Sequence, residues 1–170
     1  TAPGETVLLT GASGFLGAYL LAGQLRRWPE LQLRCLVRAT SVGQGQERLE
    51  QNLRRYGLWQ PGWASRLEVV LGDLAQPQLG LDREQFKAVG HGLGGILHNG
   101  AQLSQMASYG QLAAANVGGT RTMLQLATAD SPLRFELISS VAVFEADALR
   151  DQPIDEQTPL GAWQGIQLGY

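Results

Sequence analysis

An apolar run meets three regularly spaced glycines in Val7-Leu8-Leu9-Thr10-Gly11-Ala12-Ser13-Gly14-Phe15-Leu16-Gly17. The run predicts a buried parallel strand, and the spacing G-x-x-G-x-x-G predicts a tight turn that opens directly into a helix. Gly11 would permit the turn, Gly14 would let a phosphate approach the backbone, and Gly17 would let the helix pack closely on its strand. The free N–H groups of the helix start favour a pyrophosphate. The alternative is a glycine-rich turn without a ligand.

Segments typical of strands and helices alternate along the chain. The alternation predicts an α/β fold, a doubly wound parallel sheet with helices on both faces and right-handed connections. We predict strands at residues 7–10, 31–37, 67–71, 95–98 and 135–139, and helices at 15–28, 46–57, 109–129 and from the cap Asp82 to Val89. Residues 147–169 are rich in turn formers and predict an irregular loop.

The composition is that of an ordinary single-domain protein, with 170 residues, 44% of them hydrophobic and 16% charged. A net charge of −2 argues against a nucleic-acid partner. Cys35 is the only cysteine, which excludes an internal disulfide and suits a reducing compartment. Pro3 and Glu5 do not fit a cationic leader, and no apolar stretch is long enough to cross a bilayer. We therefore predict a cytoplasmic protein without a membrane segment or a metal site.

Arg38 follows the second predicted strand, at the position that distinguishes the two nicotinamide cofactors in sheets of this type. An acidic residue there would hydrogen-bond the adenosine ribose, whereas a guanidinium can neutralise a 2′-phosphate. Residues 31–46 contain no Asp or Glu, so the phosphorylated cofactor is favoured. Arg48 is a second candidate for the same phosphate. The alternatives are an exposed arginine at a strand end and a solvated helix face.

The ends of the third and fourth predicted strands supply further candidate contacts. Asp73 can reach the adenine amino group with Leu74 beside the ring, although a turn or helix-cap role for Asp73 fits equally well. The segment Asn99-Gly100-Ala101 closes the fourth strand, where backbone must pass near the cofactor. His98 is better explained as a hydrogen-bonded core histidine, and we assign it no role.

Asn116 lies within the last long predicted helix, close to Gly118 and Gly119, which cost helix stability. The cost suggests close packing against the fourth strand, or a backbone carbonyl that a water relay needs, and packing explains the glycines better. The predicted cofactor contacts are Thr10, Gly11, Ser13, Gly14, Phe15, Leu16, Gly17, Arg38, Arg48, Asp73, Leu74, Asn99, Gly100, Ala101 and Asn116.

Ser139 and Ser140 end the fifth predicted strand, at the carboxyl edge where open parallel sheets bind ligands. A hydroxyl there can hydrogen-bond a substrate carbonyl oxygen. Tyr170 is the last residue, and a tyrosine that donates a proton needs a nearby cation to lower its pKa. The only lysine, Lys87, lies before the fourth strand and is on the wrong segment.

Together these motifs resemble the extended short-chain dehydrogenase/reductase superfamily. Within it, the chain is most similar to the thioester reductase domains that end nonribosomal peptide and polyketide synthetases and carboxylic acid reductases. The motifs that carry the resemblance are the glycine stretch at 7–17, Cys35-Leu36-Val37-Arg38-Ala39, Arg48-Leu49, Tyr56-Gly57-Leu58-Trp59, Val69-Val70-Leu71-Gly72-Asp73-Leu74, Pro77-Gln78-Leu79-Gly80-Leu81, His98-Asn99-Gly100-Ala101, Ala115-Asn116-Val117-Gly118-Gly119-Thr120, Ser139-Ser140-Val141 and Gly169-Tyr170.

The resemblance implies a Rossmann-type fold and hydride delivery from NADPH to a thioester carried on the phosphopantetheine arm of a carrier-protein domain. The product would be an aldehyde, which a second reduction can convert to an alcohol. Ser140 matches the family's catalytic hydroxyl and Tyr170 its tyrosine, while the lysine four residues further on has no counterpart. The chain would then be the N-terminal cofactor-binding portion, 1–170, of a monomeric domain in a multidomain enzyme. Without the lysine and the substrate subdomain, it would be inactive alone.

Two other functions remain open at this point. A nucleotide-sugar epimerase or dehydratase of the same superfamily would use the same serine and tyrosine, but Arg38 and the stretch 56–59 argue against it. A non-catalytic dinucleotide-binding module would bind the cofactor without turnover. Glu156 and Pro159-Leu160 could line the entry of the carrier arm, and they fit equally as ordinary loop residues.

Overall fold

The computed structural model describes residues 6–104, 106–129, 131–159, 161 and 164–165. Its strands are β1 (Thr6–Thr10), β2 (Gln32–Val37), β3 (Leu67–Leu71), β4 (Leu93–His98) and β5 (Arg134–Leu137). Its α-helices are α1 (Phe15–Arg27), α2 (Val42–Arg55), α3 (Arg83–Gly90), α4 (Tyr109–Ala113) and α5 (Gly119–Thr128). Short 3₁₀ turns occupy Pro61–Arg66, Pro77–Gly80, Val141–Phe144 and Asp147–Leu149.

The five strands form one parallel sheet in the order β3-β2-β1-β4-β5. The chain therefore builds outward from β1 in one direction and then returns to add β4 and β5 on the other side. This order confirms the predicted doubly wound sheet. It also places a switch point between the carboxyl ends of β1 and β4, where open sheets of this kind bind their ligands.

Each face of the sheet has its own hydrophobic core. Alternate residues of a strand point to opposite faces, so Leu9 packs with α1 and α2 while Leu8 packs with α5. Both leucines are fully buried, which explains why β1 reads as a continuous apolar run. Cys35 also lies in the core, and burial raises the pKa of its thiol to about 12.

Several predicted boundaries are wrong at one end. Helix α2 begins at Val42 rather than at residue 46, because the Ser41 hydroxyl accepts the N–H of Gln44 at 3.2 Å and caps the helix earlier. Strand β5 ends at Leu137, so the two serines that follow lie in a loop. The cap at Asp82 is confirmed, and Gln85 completes a capping box with it.

The helix predicted at 109–129 is not one α-helix. A turn of π-helix, Ala114–Gly118, separates α4 from α5, and we call it the π turn. The close packing predicted for the glycines is confirmed at Gly119, where an added Cβ would lie 2.9 Å from the Cβ of Leu74. Its neighbour is thus the loop after β3 rather than β4. Gly118 has only an ordinary contact, at 3.7 Å from the Ala113 carbonyl oxygen.

The predicted loop at 147–169 is largely irregular where the structure describes it. Its one helical piece is the 3₁₀ turn Asp147–Leu149. Glu156 and Pro159 are exposed, and Leu160 lies outside the described residues. Among the described helices, none combines the length and apolar character needed to cross a membrane.

Candidate dinucleotide-binding site

A cleft of about 600 Å³ opens at the carboxyl ends of the strands, beside the switch point. Its volume lies in the range of small-molecule and cofactor sites. The ends of all five strands meet there with residues of α1, α2 and the π turn, so no single stretch of sequence forms the cleft. The lining residues are Gly11, Ser13–Leu16, Leu36, Arg38, Arg48, Gly72–Ala75, Asn99–Leu103, Ala115 and Ile138–Ser140.

Two glycines of the loop after β1 have no room for a side chain. Gly11 has a φ of +70°, and an added Cβ would lie 2.8 Å from the side-chain nitrogen of Asn99. At Gly17 the Cβ would collide with the Gly11 carbonyl oxygen and lie 2.8 Å from the Ala12 Cα. The predicted turn and close packing are therefore confirmed, and the backbone that Gly17 contacts is that of the turn rather than of the strand.

The loop presents unpaired backbone donors to the cleft. Within the described residues, the N–H groups of Ser13, Phe15 and Leu16 have no hydrogen-bond acceptor. Gly14 is the N-cap of α1 and supplies no side chain to cap it. Unpaired donors at a helix N-terminus form a site for an anion, and the adjoining cleft leaves room for one.

Thr10 lies behind the glycine loop and does not line the cleft. It is fully buried, and its hydroxyl oxygen accepts the N–H groups of Asn99 at 3.1 Å and Gly100 at 2.8 Å. Both lone pairs are then occupied, so the hydroxyl proton points to Nδ1 of His98, 2.7 Å away. Thr10 therefore fixes the loop after β4 against the end of β1.

His98 continues this chain of hydrogen bonds. Since Nδ1 accepts a proton from Thr10, Nε2 carries the ring proton and donates it to the hydroxyl of Thr120 at 3.0 Å. Thr120 in turn donates to the carbonyl of Asn116 in the π turn at 2.6 Å. Burial lowers the pKa of His98 to about 4, so the ring is neutral near pH 7. The prediction of a hydrogen-bonded core histidine is confirmed.

Two guanidinium groups lie at the β2 end of the cleft. Arg38 is exposed, and its side chain has no hydrogen bond or ion pair with any described residue. Arg48, on α2, donates to the backbone carbonyl of Arg38 at 2.9 Å. The carbonyl of one arginine thus holds the other beside it, and the two positive charges are adjacent in the cleft wall.

The loop after β3 forms another part of the cleft wall. Asp73 accepts the N–H of Ala75 at 2.9 Å, so its turn role is present, and the residue also lines the cleft. Two glycines, Gly100 and Gly119, pack closely against Leu74. An added Cβ at Gly100 would lie 2.6 Å from its Cδ1, as one at Gly119 would lie against its Cβ. The side chain of Asn99 donates to the Gly11 carbonyl at 3.3 Å.

Asn116 is not among the lining residues. Its amide oxygen accepts the N–H of Gln102 at 2.7 Å, and its nitrogen donates to the Gln102 carbonyl at 3.0 Å. The side chain therefore holds the loop after β4 in place from behind. Gly17 and Thr10 likewise lie outside the lining, whereas the other predicted contacts are in it.

Ser140 lines the cleft and is half-buried. Its Oγ accepts the N–H of Ala142 at 3.2 Å and begins a 3₁₀ turn. The hydroxyl proton has no acceptor in the described part of the chain. Tyr170, the second predicted catalytic residue, lies outside the described residues.

Other lining residues had no individual prediction. Except for Ala115 on the π turn, they lie at or shortly after a strand end, and that position is the signal that could have found them. They are Leu36, Gly72, Ala75, Gln102, Leu103, Ala115 and Ile138.

A family model described as male sterility protein, an NAD-binding domain, matches residues 9–163. The chain belongs to this family. The family is one of domains that bind a nicotinamide dinucleotide.

Relatives of this male sterility family member include parts of much larger enzymes. A non-canonical nonribosomal peptide synthetase, FrzA from a Cladobotryum species, is 41% identical over 138 residues, which are 81% of this chain and 14% of that protein. The large subunit of L-2-aminoadipate reductase from Penicillium chrysogenum is 37% identical over 143 residues, 84% of this chain and 10% of the subunit.

A solved structure with the same fold is the terminal R domain from the myxalamid PKS-NRPS biosynthetic pathway. It superposes with a TM-score of 0.89 at 40% identity, covering 95% of this chain and 41% of that one. The chain thus spans less than half of the solved domain and a small fraction of each curated relative. The Rossmann-type α/β fold is confirmed.

Proposed function

We propose that this chain binds NADPH and takes part in reductive release of a carrier-bound acyl or peptidyl thioester as an aldehyde. The observation that carries the proposal is a single cleft that combines unpaired loop amides, two adjacent guanidinium groups and the hydroxyl of Ser140. The match to a terminal R domain and to a peptide synthetase supports the same reaction class.

The residues of the cleft fit the parts of a phosphorylated dinucleotide. The unpaired N–H groups of Ser13, Phe15 and Leu16 would bind the diphosphate. Arg38 and Arg48 would bind the 2′-phosphate, because two cations there favour an extra dianionic group. The bound cofactor would supply the hydride.

Ser140 would bind the carbonyl oxygen of the thioester. Its Oγ already accepts the N–H of Ala142, which orients the hydroxyl and leaves the proton to be donated. A donor aimed at that oxygen stabilises the negative charge that develops when the carbonyl is reduced. Tyr170 is proposed as a second donor on the resemblance alone.

The partner would be a carrier-protein domain that presents the substrate on a phosphopantetheine arm. We propose that the chain works as one domain of a cytoplasmic multidomain enzyme.

A Ser140→Ala variant of the complete enzyme that contains this chain tests the proposal. With NADPH and an acyl thioester on the carrier arm, we expect aldehyde release to fall by about 100-fold or more, the usual cost of removing one oxyanion donor. Product is quantified by mass spectrometry after a timed reaction.

Ser65→Ala is the matched control, because Ser65 lies in the 3₁₀ turn before β3 and does not line the cleft. It should release aldehyde at the parent rate. A parent enzyme that gives no NADPH-dependent aldehyde contradicts the function, and an undiminished rate in Ser140→Ala contradicts the role of the serine.

A further inference from the structure

Asn52 reaches the glycine loop from outside the cleft. It is half-buried on α2, and its Nδ2 donates to the carbonyl oxygens of Gly14 at 2.9 Å and of Ala12 at 3.3 Å. Asn52 is not among the residues that line the cleft, so it would not touch a bound dinucleotide. Its two hydrogen bonds end on the loop that would.

The carbonyls that Asn52 holds belong to the same peptide groups as two of the unpaired donors. The Ala12 carbonyl shares its peptide with the N–H of Ser13, and the Gly14 carbonyl shares its peptide with the N–H of Phe15. In a trans peptide the C=O and the N–H point in opposite directions, and no cis peptide is present among the described residues. Because Asn52 holds both oxygens on the α2 side, both N–H groups turn away from it, toward the cleft.

The peptide between Ala12 and Ser13 depends most on this contact. The Gly14 carbonyl also accepts the N–H of Ala18 at 3.1 Å, so the first turn of α1 fixes it independently. The Ala12 carbonyl has no hydrogen-bond donor other than Asn52 among the described residues. Without Asn52, this peptide would be free to rotate, and the Ser13 N–H could leave the anion site.

We propose that Asn52 is a positioning residue for the diphosphate-binding loop, orienting the Ser13 and Phe15 amides without touching the cofactor. This inference rests on the proposed dinucleotide-binding function and extends it to a residue of the second helix. The diphosphate is common to NADPH and NADH, so the contribution of Asn52 is the same for both. That equality separates it from the two arginines, which act on the 2′-phosphate.

An Asn52→Leu variant keeps a similar side-chain volume and removes both donors. In calorimetric titrations of the purified protein, we expect the dissociation constants of NADPH and NADH to rise together by about ten-fold, with their ratio unchanged. Gln51→Leu is the matched control. Gln51 is the exposed neighbour on the same helix, and among the described residues its side chain donates only to Glu47, so both constants should stay at their parent values.

Asn52→Asp provides a second variant of the same shape that cannot donate when ionised. It should weaken both dinucleotides at least as much as the leucine, because a carboxylate would face the two carbonyl oxygens. Thermal unfolding of each variant, without ligand, shows whether the contact merely ties α2 to the loop. Lower melting temperatures with parent affinities for both dinucleotides would overturn the positioning role, and so would a change in their ratio.

The two proposals fail in different ways. Parent protein that binds NADPH, together with Asn52 variants that bind it equally well, overturns the role of Asn52 and leaves the proposed function intact. Parent protein that binds neither dinucleotide overturns the proposed function, and the role of Asn52 with it.

Discussion

Arg38 contributes to the site with its backbone as well as its side chain. Its carbonyl oxygen holds Arg48 at 2.9 Å, while its own guanidinium is exposed and has no partner among the described residues. An arginine paired with a protein carboxylate would have fewer free N–H donors and less net charge available to bind a ligand. Here the charge is available, which favours a phosphate at this end of the cleft.

We expect Arg38→Ala to lower the affinity for NADPH by about ten- to a hundred-fold, the usual range for hydrogen bonds to a charged group. The affinity for NADH should change little, because that cofactor lacks the 2′-phosphate. Calorimetric titration of both cofactors measures the two effects. Arg55→Ala is the control, since Arg55 stacks on Tyr56 outside the cleft. Equal affinities of the parent for NADPH and NADH would contradict the assignment of Arg38.

The segment from α4 to α5 has the apolar periodicity of one helix but is interrupted by a π turn. The apolar spacing continues through residues 109–128, yet the helix widens to a π turn at Ala114–Gly118. The widened turn begins α5 at Gly119, which packs directly on Leu74 of the cleft wall. The same turn carries Asn116, which holds the loop after β4. The π turn thus lies between two tertiary contacts, one from Gly119 to Leu74 and one from Asn116 to the loop after β4.

Adjacent glycines of this segment should respond oppositely to alanine. At Gly119 the new Cβ would lie 2.9 Å from the Leu74 Cβ, so we expect a loss of about 1–3 kcal/mol of unfolding free energy from overpacking. At Gly118 the new Cβ would make only an ordinary contact, 3.7 Å from the Ala113 carbonyl oxygen, and the backbone is helical, so we expect a gain of up to about 1 kcal/mol. Urea unfolding of the two variants measures both, and similar effects at the two sites would contradict the packing described for Gly119.

The hydrogen-bond chain through His98 connects three parts of the molecule. It runs from Thr10 at the end of β1, through His98 at the end of β4, to Thr120 on α5. Each donor has one acceptor along the chain, and the order of protons requires a neutral ring. A second proton on His98 would leave Thr10 without an acceptor and place a charge in the core.

We therefore expect the stability of the whole domain to depend on pH through His98. Burial lowers its pKa in the folded state to about 4, well below the unfolded value of about 6.5. The unfolded state then binds more protons between these values, so stability is full above pH 6.5 and falls with decreasing pH toward 4. The contribution of this group is at most about 1.4 kcal/mol per pH unit.

Unfolding free energies measured by urea from pH 4 to 7 test this dependence. His98→Gln, which keeps one donor and one acceptor, should flatten the slope over that window. His91→Gln removes the other histidine, whose side chain is exposed, and should keep the parent slope. A parent slope retained in His98→Gln would contradict the role of His98.

The sequence by itself determined the glycine loop, the order of strands and helices, and the position of Arg38. These features depend on local rules: the apolar periodicity, the backbone freedom of Gly11, and the position of Arg38 directly after a strand. Family motifs in the same stretches led to Ser140. The predicted start of α2 at residue 46 was wrong because Ser41 caps the helix four residues earlier than the apolar periodicity indicates. The sequence alone does not say whether the cap or the periodicity sets the start.

Only the tertiary structure decided which side chains support the site from behind. Asn52 contacts a loop 38 and 40 residues earlier in the chain, and His98 bonds to Thr10, 88 residues away. Such pairs have no local signature. The connections between β1, β2 and β3 place α2 beside the loop after β1, and the return of the chain from β3 to β4 places His98 beside Thr10. The π turn at Ala114–Gly118 likewise has no signal in the apolar periodicity of the segment.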